Sequence, residues 1–125
     1  MRLVVDSRDH CYVLDESRLN ALQSTGNSTQ LDPGTYVIRI EKGAFKYRPG
    51  NEQFLPEPWV MLWIYGGRVI NKKTNVAVGA TWTSLNGYSD TLILEVIETT
   101  TLCGLFFNTD NDHTGSVTLS IMKDQ

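Results

Sequence analysis

The segment Phe107-Asn108-Thr109-Asp110-Asn111-Asp112-His113-Thr114-Gly115 carries side-chain oxygens at 108, 109, 110, 111, 112 and 114. A hard cation such as calcium takes roughly six to eight oxygen ligands, and a compact loop can converge several of them. Asn108, Asp110 and Asp112 alternate like the first ligands of an EF-hand loop. His113, however, stands where that loop needs Gly, and no helices are expected on either side, so this is not an EF-hand. Asn, Asp and Gly also favour turns by their own backbone chemistry. From composition alone, a hairpin loop without metal is therefore the preferred reading, with calcium the alternative.

Other reactive types are present without a reactive arrangement. His10 and Cys11 are adjacent, and on a strand adjacent side chains point to opposite faces, so they form no nucleophile–base pair. Cys103, in Thr101-Leu102-Cys103-Gly104-Leu105, reads as core. No histidine pair has zinc spacing, and there is no Gly-rich phosphate loop or Gly-x-Ser-x-Gly elbow. Glu41, Glu52, Glu57, Asp90, Glu95 and Glu98 fall near strand ends. They leave a hydrolase using paired carboxylates as the weakest of the functional classes. Among the tryptophans, Trp63 belongs to an apolar strand and reads as core. Trp59, beside Pro58 at a loop mouth, suits a surface role such as stacking on a sugar ring. Trp82 is undecided.

The elements that position these residues are strands. Leu3–Asp6 and Cys11–Leu14 read as short strands, and Asp15–Gln23 as a single short N-terminal helix capped by Asp15. Ser24–Thr29 reads as polar loop. Asp32-Pro33-Gly34 is a turn signal. It precedes Thr35–Ile40, where Tyr36, Ile38 and Ile40 share a face. The stretch from Lys42 to Pro58 reads as a long loop opening with an edge segment. Trp59–Tyr65 is apolar on both faces, as in a central strand, and Gly66-Gly67 signals a hairpin returning as Arg68–Asn71. Val76–Trp82, Asp90–Glu98, Leu102–Phe107 and Val117–Ile121 complete the set, with Asn86-Gly87 a second turn. In Asp90–Glu98, Leu92, Leu94 and Val96 share one face, and Ile93 and Ile97 the other. The expected fold is all-β: an antiparallel two-sheet sandwich, jelly-roll-like, with one short N-terminal helix. Leu62, Ile64, Leu94, Val96, Leu105 and Leu119 are expected between the sheets.

The chain of 125 residues suits one domain, 1–125, with a folded surface of about 6,700 Å². Its formal charge of −3 and pI near 5.2 lack the basic footprint that nucleic acid or an anionic membrane requires. No apolar run approaches the roughly 18–20 residues of a membrane helix. The first ten residues carry a short apolar stretch followed at once by charge, unlike a secretory signal. With Cys11 and Cys103 read as buried reduced thiols, the expected location is cytoplasmic.

With the strands in order, Leu31 to the C-terminus resembles the small calcium-dependent galactose-binding bacterial lectins of the LecA type. The resemblance rests on Leu31-Asp32-Pro33-Gly34-Thr35 and Gly43-Ala44-Phe45-Lys46-Tyr47, which are similar to the family's opening turn, strand and calcium-side Tyr. It rests also on the apolar strand Trp59–Gly67 and on the closing Gly115–Ile121 with Lys123-Asp124-Gln125. The resemblance implies a calcium ion held by Asn108, Asp110, Asn111 and Asp112, with the Tyr47 carbonyl opposite. It implies a galactose-like carbohydrate as ligand; a single such site binds weakly, so useful avidity would need a homo-oligomer. The family's His-Pro-x-Gln sugar element has no His here, where the chain reads Asn51-Glu52-Gln53-Phe54-Leu55-Pro56-Glu57-Pro58. Gln53 and Trp59 are the expected ligand contacts in that region. The leading expectation is a non-catalytic, calcium-dependent carbohydrate-binding module. The alternative is an intracellular protein-interaction or regulatory β-sandwich domain without metal.

Overall fold

A computed structural model describes residues 1–13, 27–47, 57–108 and 113–124. Its accessible surface is 6954 Å², close to the roughly 6,700 Å² that size scaling gives for one folded domain. Nine strands occur among the described residues. They are β1 (Arg2–Asp6), β2 (Cys11–Val13), β3 (Asn27–Leu31), β4 (Gly34–Tyr47) and β5 (Trp59–Asn71), then β6 (Val76–Asn86), β7 (Thr91–Val96), β8 (Thr100–Asn108) and β9 (His113–Asp124). They form one sheet in the order β1-β9-β4-β7-β5-β8-β2, with β3 also on β8 and β6 on β5. Every pairing is antiparallel except β2 with β8. The sheet curls until β3 faces β1, where the Asn27 amide donates to the Val4 carbonyl at 3.0 Å. The fold is therefore all-β and nearly barrel-like. The helix expected over 15–23 lies outside the described residues.

The alternation of apolar residues decides which face turns inward. Leu3 and Val5, Tyr36, Ile38 and Ile40, Val60, Leu62 and Ile64, Leu92, Leu94 and Val96, and Val117, Leu119 and Ile121 all enter one core. Between them, Ile93 and Ile97 stay exposed. Leu105 is buried as expected but belongs to a second, smaller cluster on the other face of β5 and β8. There Leu105 and Cys103 lie under Met61, Trp63 and Tyr65. That second cluster is why β5 is apolar on both faces.

Gly66-Gly67 does not reverse the chain. β5 runs on from Trp59 to Asn71, and its pairing partner changes instead: Tyr65 pairs with Thr101 of β8, and Val69 with Val96 of β7. β7 and β8 bend at residues 97–99 opposite this point. The Ile97 and Glu98 N–H groups both donate to the Arg68 carbonyl, at 2.9 and 3.2 Å. Gly66 takes a φ of 97°, open to glycine at little cost. Gly67 admits the backbone of residues 98 and 99 against its α-carbon. The two glycines form a corner that β5 turns together with its neighbour. Thr100, buried beside the corner, donates its hydroxyl to the Tyr65 carbonyl at 2.8 Å.

Two loop expectations are also corrected. Residues 27–29, read as loop, begin β3. Backbone pairing to β8 holds them, and an edge position tolerates their polar side chains, with only Leu31 of the strand buried. Lys42–Tyr47 is not loop but the second half of β4. The strand crosses a register shift between Ile40 and Lys42 and stays paired with β9 as far as Tyr47.

Candidate metal and ligand site

The long β4·β9 ladder ends with Lys46 opposite Thr114 and Tyr47 opposite His113. Asn108 closes β8, paired with Val13 of β2. Asn108 and His113 therefore bracket residues 109–112, and the exit from that segment lies beside Tyr47. Phe45 and Glu57 exchange backbone hydrogen bonds of 2.8 and 2.7 Å, so the chain leaving at Tyr47 returns two residues away in register. The segments expected to carry the metal and the sugar contacts thus start and finish at one end of the sheet. Asp110, Asn111, Asp112 and Gln53 lie outside the described residues. Tyr47 and Asn108 are placed by their backbone. Among the described residues, no group of three or more His, Cys, Asp or Glu is arranged to hold a metal.

Trp59 begins β5 at the same end and is half-buried rather than free on the surface. Its ring lies 5.7 Å from Phe45 and 5.0 Å from Phe106 between centroids, and Phe45 meets Phe106 edge-on at 4.5 Å. The three rings form a hydrophobic base under the loop end, so Trp59 contributes to packing as well as to any outward contact. A second aromatic group sits on the opposite face. Trp63 stacks on Tyr65 at 5.7 Å and leans on Trp82 at 4.7 Å. Trp82 is 42% exposed, and the Trp63 indole N–H is buried with no hydrogen-bond partner. Sequence reading placed Trp63 in the core and missed this group. The signal for it was the pairing of Trp63 with Trp82 across β5 and β6, which depends on register.

Three of the carboxylates near strand ends, Glu41, Asp90 and Glu95, are ion-pair partners. The Arg2 guanidinium donates to Glu41 at 2.6 and 3.0 Å and holds its carboxyl below the usual range, mainly through that hydrogen bond. The Asn86 backbone N–H, then Lys73, does the same for Asp90. Glu95 meets Lys72 at 3.5 Å. A general acid needs the opposite perturbation. Cys11 and Cys103 are buried and are not joined in a disulfide. His10 accepts the Asp6 N–H at Nδ1, 2.9 Å away, which fixes the β1–β2 turn. Among the described residues, no helix is long and apolar enough to cross a membrane. No protein-family model, curated protein or solved structure matches the chain.

Proposed function

We propose that this protein is a non-catalytic binding module that takes a carbohydrate at the β4·β9 end of the sheet, with calcium as part of the site. The observation that carries the reading is the pairing of Tyr47 with His113. It sets the Tyr47 backbone beside the exit of the Asn108–Asp112 segment, where a carbonyl can complete a ring of Asn and Asp oxygens. That donor set is hard and all-oxygen, as calcium prefers. Asn108, Asp110, Asn111 and Asp112 would hold the ion, and a bound calcium with open positions can take sugar hydroxyls directly. Gln53, on the segment between Tyr47 and Glu57, would add a hydrogen bond, and Trp59 an apolar ring face. The resemblance to the LecA-type lectins points to the same arrangement. The corner at Gly66-Gly67 supports the two-sheet, jelly-roll form of the fold. It divides the strands paired around β4 from those paired around β8.

Calorimetric titration with calcium tests the reading, with melting followed in parallel with and without chelator. Heat with a defined stoichiometry and a chelator-sensitive melt are expected. No heat and an unchanged melt in millimolar calcium would remove the metal from the proposal.

A further inference from the structure

Asn86-Gly87 is the one Asn-Gly pair in the chain, and it lies where β6 ends and turns toward β7. Asparagine before glycine is chemically labile. The Gly87 nitrogen can give up its proton and attack the Asn86 Cγ. The Cγ–Nδ2 bond then breaks and ammonia leaves. A five-membered succinimide remains, and water opens it at either carbonyl to aspartate or isoaspartate. The sum is amide plus water to carboxylate plus ammonium, with no other reagent. Glycine permits the attack because it has no β-carbon to obstruct the ring. Every other asparagine of the chain precedes a residue with a side chain.

Asn86 is exposed, and a β-carbon built at Gly87 would stand in open space, so water reaches the pair. The folded turn nevertheless holds the reacting atoms apart. The Gly87 N–H donates to the Pro58 carbonyl at 2.7 Å. That bond retains the proton that must leave and ties the nitrogen to the start of β5, where Trp59 pairs with Asn86. The Asn86 side-chain amide donates to the Ser84 hydroxyl at 3.0 Å, so it reaches back along its own strand rather than forward over Gly87. The Asn86 backbone N–H is fastened to the Asp90 carboxylate at 2.9 Å, and Lys73 holds the other carboxylate oxygen at 3.3 Å.

We infer that Asn86 is this protein's site of spontaneous deamidation, and that the clasp between Gly87 and Pro58 controls its rate. The reaction runs from the open turn, as often as residues 86–90 release Pro58 by local unfolding. Its product weakens the clasp that held it back. The new carboxylate at position 86 carries a further negative charge beside Asp90. In the isoaspartyl form the main chain runs through the β-carbon and is one atom longer, which takes Gly87 out of register with Pro58. Each modified copy therefore loses the clasp at the start of β5. This inference stands apart from the carbohydrate reading.

Ageing the intact chain at mildly alkaline pH tests this, with aspartate and isoaspartate located by peptide mapping. In urea, product should form at Asn86 before any other asparagine. In buffer the rate at Asn86 should fall about tenfold or more, because the closed turn withholds the Gly87 nitrogen. Asp90→Ala removes the acceptor of the Asn86 N–H and should raise the rate in buffer about threefold or more, with the rate in urea unchanged. Asn86→Gln, which would need a six-membered ring, should give no product on the same timescale. A first product at another asparagine overturns the assignment of the site. Equal rates in buffer and urea overturn the control by the clasp, and so does an Asp90→Ala rate in buffer no faster than that of the wild type.

Discussion

Gly67 of β5 lies so close to Thr99 that a β-carbon at 67 would overlap the Thr99 carbonyl oxygen, and the Glu98 carbonyl beside it. This contact lets two long strands bend at one point and close the sheet over its core. Gly67→Ala should therefore destabilise the fold by about 1–3 kcal/mol, since backbone atoms cannot yield as a side chain can. Gly79 has open space around its α-carbon and no left-handed φ. Gly79→Ala should be neutral or stabilise by about 0.4–1 kcal/mol. Urea unfolding of both variants checks the contrast, and equal losses would mean that the corner is not close-packed.

Leu94 is fully buried and its neighbour Ile93 is 42% exposed on the other face of β7. Leu94→Ala should cost about 2–5 kcal/mol through lost transfer energy and a residual cavity. Ile93→Ala should cost at most about 0.5 kcal/mol. Thermal and chemical melts of the pair would show an inverted strand face as a reversal of this order.

Asp110 and Asp112 would repel each other in a loop without a cation. If they hold calcium, an ion concentration a hundredfold above the dissociation constant should stabilise the fold by about 2.7 kcal/mol. Asp110→Ala combined with Asp112→Ala should abolish that gain while leaving the chelator-treated melt unchanged or slightly raised. Differential scanning calorimetry across a calcium series reads both effects.

Asp90 has its carboxyl held below the usual range, first by the Asn86 N–H and then by Lys73. A depressed folded pKa contributes stability that is complete above the unfolded carboxylate range and is lost as pH falls through the folded value. The contribution should therefore be intact at neutral pH and fade below about pH 4. Asp90→Asn should flatten this part of the acid limb, measured as urea midpoints between pH 7 and pH 2.5. Glu41, held down by Arg2, should shift the same limb in the same direction.

Carbohydrate recognition should depend on calcium and be modest at each site, because a single hydrogen bond nets only ~0.5–1.5 kcal/mol. A glycan array with and without chelator should show binding in calcium alone. Gln53→Ala should weaken it. Trp59→Phe is a cleaner probe than Trp59→Ala, since the Trp59 ring also packs on Phe45 and Phe106. No binding in calcium by folded protein would refute the carbohydrate reading.

What the sequence determined by itself was the strand character of the chain and the inward face of most strands. Tyr36-Ile38-Ile40 and Leu92-Leu94-Val96 alternate with period two, and burial follows that period because adjacent side chains must leave a strand on opposite faces. The Asn/Asp-rich segment between two apolar strands was legible for the same local reason, as was the Asn86-Gly87 turn. Tertiary structure alone decided the rest. Gly66-Gly67 reads identically in a hairpin and in a corner, and the choice lay with the backbone of residues 98 and 99, some thirty positions away. Residues 27–29 carry no apolar signal, so only pairing with β8 makes them strand. Leu105 and Leu102 are equally apolar, yet they fall in different clusters, because the second cluster exists only once Trp63 and Tyr65 lie over Cys103. The candidate site divides the same way. Its donor types are written in the chain, but the approach of Tyr47 to His113 comes from a ladder between strands more than sixty residues apart. Side-chain chemistry is a local property, whereas register between distant strands is set by the whole core.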